Sequence, residues 1–372
     1  MRAIVTGQVG MDKKAYLERI VALAGERGER VMLYNIGDMM YAEARDVRPG
    51  RILDLPLSRL NALRRAAFKD VIADAHHHAH VVVNTHATFR WRHGLFSAFD
   101  FDQVQLFKPD LLICLLDNIE MVHHRLHRDH DTDATLKDLM VWREEEIMAT
   151  ELLSQALGRD TACYVMARGR HRETTETTWR LVCRPDYRKV YPSFPMTHVA
   201  NMPEVLAEID RFRAALAEHF ITFDPGDVDE KLLLERALEA AREGRQQVET
   251  EVGSFSGGQQ PVRVPAREVL DIAGDIDGQI YMRDFKLIDQ SDMIVSYVPE
   301  LPGGIPGLSS GVERELQHAF EHGKEVYVVW KPARTPSPFI TETATKVFKD
   351  VDEALAWFED HGMFVPRNLF GH

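Results

Sequence analysis

The chain has 372 residues, of which 45% are hydrophobic and 28% are charged, and its formal net charge is −13 at pH 7. This length predicts two domains, and the composition is that of globular protein with enough apolar residues for two cores. A uniformly acidic surface repels nucleic-acid phosphates, so the charge argues against general binding of DNA or RNA. A small anionic ligand remains compatible with it, because one local cluster of N–H groups can outweigh the average field.

The sequence also contains evidence on the cellular location of the protein. Its longest apolar runs fall short of the roughly 18 residues that a membrane span needs. The opening residues, MRAIVTGQVG, lack the apolar stretch and cleavage site of a signal peptide. Cys114, Cys163 and Cys183 are odd in number and lack metal-site spacing, which indicates reduced thiols. We therefore expect a cytoplasmic protein with no membrane partner.

The first half alternates short apolar runs with helical patterns. Strands are predicted at residues 3–6, 31–36, 81–83 and 111–116, and helices at residues 57–75 and 136–157. This alternation predicts an α/β domain of three layers, in which helices cover both faces of a parallel sheet. We place the end of this domain near residue 170, where a polar stretch begins.

The second half repeats the alternation. Strands are predicted at residues 190–195, 221–224, 293–298 and 326–330, and helices at residues 203–220, 230–242, 281–288 and 312–322. They predict a second parallel-sheet, three-layer domain over residues 186–340, followed by a helical tail over residues 341–372. Residues 253–258 are predicted to form a flexible loop, because glycine and serine dominate them.

A candidate phosphate-binding loop follows the first predicted strand and contains Gly7, Gly10, Lys13 and Lys14. The spacing from Gly7 to Lys13 matches G-x-x-x-x-G-K, in which N–H groups cradle phosphate and the lysine reaches its outer oxygens. Asp12 replaces the last glycine of that pattern, and Lys14 replaces the hydroxyl residue that holds Mg²⁺. The loop therefore either binds a nucleotide such as ATP or is a strand–turn–helix that merely keeps its glycines.

With residues 35–38, 84–88 and 109–113, this loop resembles the archaeal type of adenylate kinase and related small nucleotide kinases. The resemblance extends to about residue 170 and implies a P-loop kinase-like fold. Because Asp12 and Lys14 remove metal and phosphate chemistry, we expect a degenerate nucleotide-binding or purely structural domain.

Two histidine groups and a glutamate run also deserve comparison with known site patterns. No Cys or carboxylate pattern accompanies residues 76–80 or residues 123–127, and both histidine groups fall on predicted helix surfaces. We therefore expect solvated histidines and no metal site. Glu144, Glu145 and Glu146 are likewise expected to form a solvent-exposed helix face.

The most informative stretch runs from Arg283 to Ala319. A strand that ends near Pro299, a glycine loop and a helix that begins around Val312 predict a ligand site at the carboxyl edge of a parallel sheet. Glu315 is expected in the first turn of that helix, with its side chain in the crevice. A carboxylate in this position can attack the anomeric carbon of a nucleoside while a second carboxyl group protonates the leaving base.

The motif residues of this stretch resemble the nucleoside 2-deoxyribosyltransferase superfamily, especially its branch that hydrolyses 2′-deoxynucleoside 5′-monophosphates. They are Arg283, Asp284 and Asp292, then Ser309, Gly311, Val312, Glu315, Leu316 and Ala319, with residues 191–197 similar to the family's opening strand and loop. The resemblance covers about residues 188–335 and implies a flavodoxin-like fold and a homo-oligomer. Residues 300–308 are an insert, Gln317 replaces a usual glycine, and the base-contacting region has no recognisable counterpart between Val248 and Gln279.

This resemblance implies that Glu315 is the nucleophile, that Asp284 assists the sugar or the departing base, and that Tyr191 orients Glu315. It implies substrate binding by Ser193, Pro195, Met196, Asp292, Ser309, Ser310 and Gly311, the serines at a 5′-phosphate. No metal or other cofactor is required, because the two carboxyl groups supply attack and proton transfer. Three alternatives stay open: a nucleotide kinase that uses the first domain, a non-catalytic nucleotide sensor, and a glycosidase acting on NAD.

Overall fold

The computed structural model describes residues 1–91, 94–130, 132–158, 160–169, 174–196, 199–254 and 258–364. The chain divides into two compact units. The first comprises Met1–Cys183 and Asp227–Gly278, and the second comprises Arg184–Gly226 and the chain from Gln279 onward. The division therefore differs from the expected one, because each unit is built from two separate segments.

The strands, in chain order, have the following bounds: β1 Arg2–Thr6, β2 Val31–Asn35, β3 His80–Asn84, β4 Thr88–Trp91, β5 Gly94–Ser97, β6 Leu111–Leu116, β7 Ala162–Ala167, β8 Lys189–Ser193, β9 Ile221–Thr222, β10 Gln247–Ser254, β11 Gly258–Pro265, β12 Met293–Val298, β13 Glu300–Leu301, β14 Ile305–Pro306, β15 Glu325–Trp330 and β16 Lys346–Phe348.

The helices have the following bounds: α1 Lys13–Glu26, α2 Ile36–Glu43, α3 Leu57–Asp74, α4 Phe101–Phe107, α5 Ile119–His130, α6 Leu136–Leu157, α7 Thr175–Cys183, α8 Pro203–His219, α9 Lys231–Arg242, α10 Ala266–Asp271, α11 Ala273–Asp289, α12 Ser310–Glu321, α13 Pro338–Thr341 and α14 Val351–Asp360. Among the described residues, none of these helices combines the length and apolar character that crossing a bilayer requires.

The first unit is organised around a parallel sheet with the strand order β2-β3-β1-β6-β7. Every residue of β6 is buried, as its continuous apolar run predicts for a strand covered on both faces. Because the strands are parallel, the segments that follow β1, β3 and β6 meet at one edge of the sheet. The predicted α/β fold class is confirmed for this unit.

Residues 227–278 belong to the first unit because their start is anchored in its core. Glu230 pairs with Arg143, and both side chains are buried. The N–H of Ile119 donates to Oε1 of Glu230 at 3.1 Å, and Val228 packs in the apolar cluster of β6 and α6. The predicted flexible loop is instead largely strand, since residues 253, 254 and 258 lie in the antiparallel pair β10–β11, while residues 255–257 fall outside the described residues.

The first unit also extends beyond residue 170, through α7. The hydroxyl of Tyr16 on α1 lies 2.7 Å from the hydroxyls of both Thr174 and Thr178, and all three side chains are buried. These polar contacts join α7 to α1, so the first segment of the unit runs to Cys183. The polar stretch near residue 170 was therefore a misleading boundary signal.

The second unit contains a parallel sheet with the strand order β16-β15-β12-β8-β9. One face packs against α8 and α14 through residues that include Phe212, Leu216 and Phe358. The opposite face of β8 meets α12, as described below, so this unit also has three layers. The predicted tail is thus part of the fold: residues 346–348 form an edge strand, and α14 contributes Phe358 to the core.

The buried ion pair between Arg143 and Glu230 predicts a specific loss of stability. We expect Glu230→Ala to lower the free energy of unfolding of the first unit by about 3–5 kcal/mol, because it leaves a buried guanidinium unpaired. Lys231→Ala, which breaks the exposed pair with Asp277, should cost no more than about 1 kcal/mol. Calorimetry measures both losses, and amide exchange in β1 and β6 assigns the transition to this unit. Equal costs for the two variants would contradict the anchoring role of Glu230.

Candidate functional site

Glu315 of the second unit is held by two hydroxyl groups from β8. Tyr191 and Ser193 are two residues apart, so their side chains lie on the same face of the strand. The Tyr191 hydroxyl donates to Oε1 of Glu315 at 3.1 Å, and the Ser193 hydroxyl donates to Oε2 at 2.6 Å. Both oxygens of the carboxylate therefore have a donor, and both donors belong to fully buried residues.

Glu315 lies in the second turn of α12, not in the first. Ser309 is the N-cap of this helix, and its hydroxyl accepts the N–H of Val312 at 3.2 Å. The helix consequently begins at Ser310, earlier than the sequence pattern indicated. Since the field of a helix terminus falls off within its first turn, the hydroxyls of β8, rather than helix N–H groups, position this carboxylate.

Asp284 on α11 forms a second carboxyl group of the site. Burial raises the pKa of Asp284 to about 6, although the positive charge of Arg283 opposes the shift. Its Oδ1 is buried, and no described residue donates a hydrogen bond to that atom. Burial thus brings the pKa of this carboxyl group closer to neutral pH, where it can exchange a proton.

The charge of Asp284 influences the titration of Glu315. Burial and the charge of Asp284 raise the pKa of Glu315 to about 8, while the hydrogen bonds from Ser193 and Tyr191 act in the opposite direction. Burial, Asp284 and Glu315 also raise the pKa of Tyr191 well above its usual value, so its hydroxyl remains a donor. At neutral pH the pair Asp284–Glu315 therefore shares one proton.

The start of α12 contains three further predicted site residues, Ser309, Ser310 and Gly311. A Cβ at Gly311 would lie 3.6 Å from Oγ of Ser309, which is an ordinary contact, so packing within the described structure does not require glycine there. The insert between β12 and α12 folds into the antiparallel pair β13–β14. The first turn of α12 thus keeps N–H groups and a hydroxyl that suit an anion.

The loop after β8 is more apolar than the predicted binding role suggests. Pro195 is buried, and Met196 packs against the apolar cluster that contains Phe194 and Phe212. Thr197, which is part of the family-like segment, lies outside the described residues. In the described structure both Pro195 and Met196 are therefore part of the apolar packing of this unit.

Asp292 does not belong to this site, and its predicted substrate role is wrong. Its Oδ2 accepts the N–H of Lys189 at 2.7 Å, and its own N–H donates to the Lys189 carbonyl at 2.8 Å. These bonds join the amino ends of β8 and β12, whereas Ser193 and Glu315 lie at the carboxyl edge. Ser193 is paired with Ser296, which lies four residues, or about 13 Å, along β12 from Asp292. The Asp292 carboxylate instead accepts a backbone N–H at the start of the sheet.

Ser296 is a site neighbour that the sequence reasoning missed. It lies beside Ser193 in the register of β12 and β8, and its hydroxyl is buried without a hydrogen-bond partner among the described residues. The sequence signal that could have identified Ser296 is that it is a lone small polar residue in the otherwise apolar strand Met293–Val298.

The first unit has its own cleft, of about 460 Å³, at the carboxyl edge of its sheet. The phosphate-loop residues line it together with Arg64, His86 and Phe89. Arg64 is buried, and its Nη2 has no hydrogen-bond partner among the described residues. Burial lowers the pKa of Arg64 to about 10, so the side chain still carries a positive charge at neutral pH, and the sequence reasoning had not singled it out.

The glycines of the loop are required by close packing. Gly7 has φ +139°, and a Cβ there would lie 2.7 Å from the Leu115 carbonyl oxygen. Gly10 has φ +86°, and a Cβ there would lie 2.8 Å from Cγ of Leu126. Asp12 adopts a left-handed φ of 50° at the position of the missing glycine. Its carboxylate lies 3.2 Å from Nη2 of Arg168, which offsets its negative charge.

The two lysines of the loop have different partners. Nζ of Lys13 donates to the Gly7 carbonyl at 2.5 Å and lies 3.1 Å from Nδ1 of His86. Burial lowers the pKa of Lys13 to about 8, against the opposing charge of Glu146. Lys14 instead pairs with Asp38 at 2.6 Å in an exposed position. Thus only Lys13 has the placement expected of a phosphate-loop lysine.

Glu146 contradicts the predicted solvent-exposed helix face. It is buried, and its carboxylate accepts the N–H groups of Gly7, Ala87 and Thr88 and the Thr88 hydroxyl at 2.7–2.8 Å. The carboxylate therefore fastens the phosphate loop to the segment that follows β3. Three consecutive helix positions point in different directions, which is why one member of an acidic run can be buried while the others are accessible.

Of the α5 histidines that were expected to be solvated, His127 is exposed as expected, whereas His123 is partly buried. Nε2 of His123 lies 2.9 Å from Nε2 of His127, and burial together with the neighbouring histidines lowers the pKa of His123 to about 4. His123 is therefore neutral at neutral pH.

Comparisons with known proteins support the family resemblance that was predicted for the first half of the chain. Residues 6–143 match the AAA domain family. An adenylate kinase from Pyrococcus furiosus is 28% identical over 160 residues, which are 41% of this chain and 76% of that protein. These matches confirm the resemblance of the first half to P-loop nucleotide kinases.

Two solved structures were also found to be similar. A 2-deoxyribosyltransferase from Bacillus psychrosaccharolyticus has 15% identity and a TM-score of 0.28, over 48% of this chain and 98% of that chain. A phosphoglycerate kinase from Coxiella burnetii has 10% identity and a TM-score of 0.19, over 96% of this chain and 93% of that chain. The flavodoxin-like description of the second unit rests on its own strand order and parallel register.

The hydrogen bonds to Glu315 predict how its titration responds to mutation. Ser193→Ala and Tyr191→Phe should each raise the pKa of Glu315, because each removes a donor that stabilises the ionised form. The rise should be larger for Ser193→Ala, whose bond is the shorter. Carbon-13 NMR of the carboxyl groups measures it, and Ser296→Ala is the matched control that should leave this pKa near its original value. A lowered pKa in either donor variant would contradict the assignment.

Proposed function

We propose that the second unit cleaves the N-glycosidic bond of a nucleotide or nucleoside, or transfers its deoxyribosyl group, through Glu315. The observation that carries this proposal is the placement of Glu315 between two hydroxyl donors, where the charge of the Asp284 carboxyl group also acts on it. Such a pair, at the carboxyl edge of a parallel sheet, supplies both a nucleophile and an acid.

The chemistry follows from the single proton that the pair shares. Ionised Glu315 attacks the anomeric carbon, the N-glycosidic bond breaks, and its electrons leave with the base. Asp284 gives its proton to the departing base. The glycosyl ester on Glu315 then reacts with water, which gives hydrolysis, or with a second base, which gives transfer. Between pH values of about 6 and 8 the pair holds one proton, which resides mainly on Glu315, the group with the higher pKa. The reactive form, with Glu315 ionised and Asp284 protonated, is the minor distribution of that proton, and it is lost above a pH of about 8 and below a pH of about 6.

Tyr191 and Ser193 orient the nucleophile in this scheme. Their hydroxyls fix both carboxylate oxygens and favour ionised Glu315 against the effect of burial. Tyr191 keeps its own proton throughout, because its pKa is raised. No metal or other cofactor enters these steps, since the chain's own groups move each proton and electron pair.

We assign a 5′-phosphate to the start of α12. Ser309 and Ser310 supply hydroxyls, and the absence of a side chain at Gly311 gives a ligand close access to the first-turn N–H groups. A monophosphate is therefore favoured over the corresponding nucleoside. The family resemblance adds a homo-oligomer to the proposal, and light scattering after gel filtration measures the oligomeric state. The reduced cysteines add a cytoplasmic location.

The decisive experiment compares Glu315→Gln with Glu313→Gln. Glu313 is an exposed acidic residue in the first turn of the same helix, so it controls for loss of charge near the site. We expect Glu315→Gln to reduce release of free base by several orders of magnitude and Glu313→Gln to leave it nearly unchanged. Chromatography of reactions with 2′-deoxynucleoside 5′-monophosphates, nucleosides and NAD measures the free base.

Several results would redirect the assignment. Near-normal base release by Glu315→Gln would exclude Glu315 as nucleophile, and a loss confined to Glu313→Gln would transfer the role. Cleavage of NAD alone would replace the nucleotide substrate with a dinucleotide.

We propose as a second function that the first unit binds a nucleotide without efficient phosphoryl transfer. The cleft presents Lys13 and Arg64 to an anion, and the backbone of the phosphate loop lines the same space. Lys14 has no hydroxyl for Mg²⁺ and is paired with Asp38. These features favour retention of phosphate binding and loss of the metal-dependent step.

Calorimetry with ATP and a kinase assay with AMP or CMP test this second function. We expect ATP binding that is nearly independent of Mg²⁺ and weakened at least ~10-fold by Lys13→Ala, because a charged hydrogen bond contributes about 1.5–3 kcal/mol. Lys69→Ala, an exposed lysine on α3, is the control. Rapid phosphoryl transfer that disappears in Lys13→Ala would establish the kinase alternative, and absence of binding would leave the unit a scaffold.

A further inference from the structure

We propose that Glu29, His80 and Cys183 form a binding site for a zinc-type divalent cation in the first unit. One ligand atom of each side chain lies within 4.8 Å of the corresponding atoms of the other two. The three residues are not involved in either site described above. They come from segments that are far apart in the sequence and that the fold brings together.

The topology explains why these side chains meet. Val31 of β2 lies opposite His80 of β3 in parallel register, so Glu29, just before β2, reaches the amino end of β3. Cys183 ends α7, which is joined to α1 through Tyr16 and through the ion pair of Arg27 with Glu176. The cluster therefore lies where β2 and β3 begin, at the edge of the sheet opposite the nucleotide cleft.

The donor types select the class of metal. A thiolate and an imidazole nitrogen suit zinc, cobalt(II) and similar ions, whereas Mg²⁺ and Ca²⁺ prefer oxygen ligands alone. In a tetrahedral zinc site, neighbouring ligand atoms are roughly 3.5 Å apart, as metal–ligand distances of about 2.0–2.3 Å require. Closing the cluster therefore takes about 1 Å of side-chain movement. Three protein ligands leave the fourth position to water.

Burial and charge are also suited to a dication. Cys183 is buried, and Oε2 of Glu29 and Nδ1 of His80 are shielded from solvent. Binding replaces the thiol proton, which leaves to solvent, so the bound set contains one thiolate and one carboxylate. These two negative charges balance the two positive charges of the metal.

Other histidine groups in the described residues lack this combination. His76 contacts Arg2 at 3.1 Å, and His78 pairs with Asp74 at 3.3 Å. In the second unit, Asp289, His318 and His322 are also within ligating distance of one another, but Asp289 and His322 are exposed and His318 already bonds to Asp289 at 2.7 Å. A thiol is absent from that group.

Cobalt(II) provides the most direct test. The full chain, reduced and treated with a chelator that is then removed, should bind one Co²⁺ and develop a thiolate-to-cobalt charge-transfer band in the near ultraviolet. Cys183→Ser should abolish the band, whereas Cys163→Ser, at a partly buried cysteine on β7, should retain it. His80→Gln and Glu29→Gln should each weaken binding at least ~10-fold.

A second measurement uses the unaltered protein and does not depend on the folding of a variant. Stoichiometric Zn²⁺ should raise the temperature of unfolding and protect Cys183 from alkylation by iodoacetamide, with peptide mass spectrometry identifying the protected residue. The proposal is overturned if no charge-transfer band appears, if Zn²⁺ leaves Cys183 equally reactive, or if all variants bind alike, which would identify adventitious binding by surface histidines.

Discussion

The interaction on which the proposed chemistry of the second unit depends is the pair of hydrogen bonds that hold the Glu315 carboxylate against β8. A carboxylate that is removed from water loses its hydration, which disfavours the ionised form. Hydrogen-bond donors from the protein stabilise that form to the extent that they replace the lost water contacts. Glu146 of the first unit has four such donors and acts as a fastening for the phosphate loop. Glu315 has two, and Asp284 is a competing charge, so its pKa is high and its proton can be exchanged in a reaction. The number of donors therefore distinguishes the carboxylate that holds the phosphate loop in place from the carboxylate that we propose as the nucleophile.

Parallel strands determine which side chains can supply those donors. Alternation along β8 presents Tyr191 and Ser193 to α12 and Val190 to the apolar cluster on the other face. Local patterns were sufficient to predict these elements: β6 and β12 coincide with their apolar runs, and α6 coincides with its helical pattern behind a capping box of Thr135 and Asp138. The contact of Glu315 with Tyr191 was likewise predictable, because both residues match motif positions of the family that the second half resembles.

What local patterns could not predict depends on contacts between distant segments. The burial of Glu146 is set by N–H groups near residues 7 and 87, and the assignment of residues 227–278 is set by Arg143. Asp292 matched a motif, yet its bonds to Lys189 place it at the amino edge of the sheet. The meeting of Glu29, His80 and Cys183 similarly requires the register of β2 with β3 and the position of α7. In each case the deciding partner is far away in the sequence, where composition and periodicity carry no information.

The phosphate loop shows how a departure from a motif can be absorbed locally without restoring its chemistry. A left-handed backbone normally favours glycine, but aspartate tolerates it better than most residues, which accounts for Asp12 at φ 50°. Arg168 then offsets the added charge, so anion binding by the loop's N–H groups is not opposed by an unpaired carboxylate. No described residue replaces the hydroxyl group that is missing at Lys14. The Lys14 ammonium group is paired with Asp38 and cannot coordinate Mg²⁺ as a hydroxyl does. The loop therefore keeps features that suit phosphate binding and lacks the hydroxyl that Mg²⁺-dependent transfer uses, and this asymmetry supports the proposal that the first unit binds a nucleotide without efficient phosphoryl transfer.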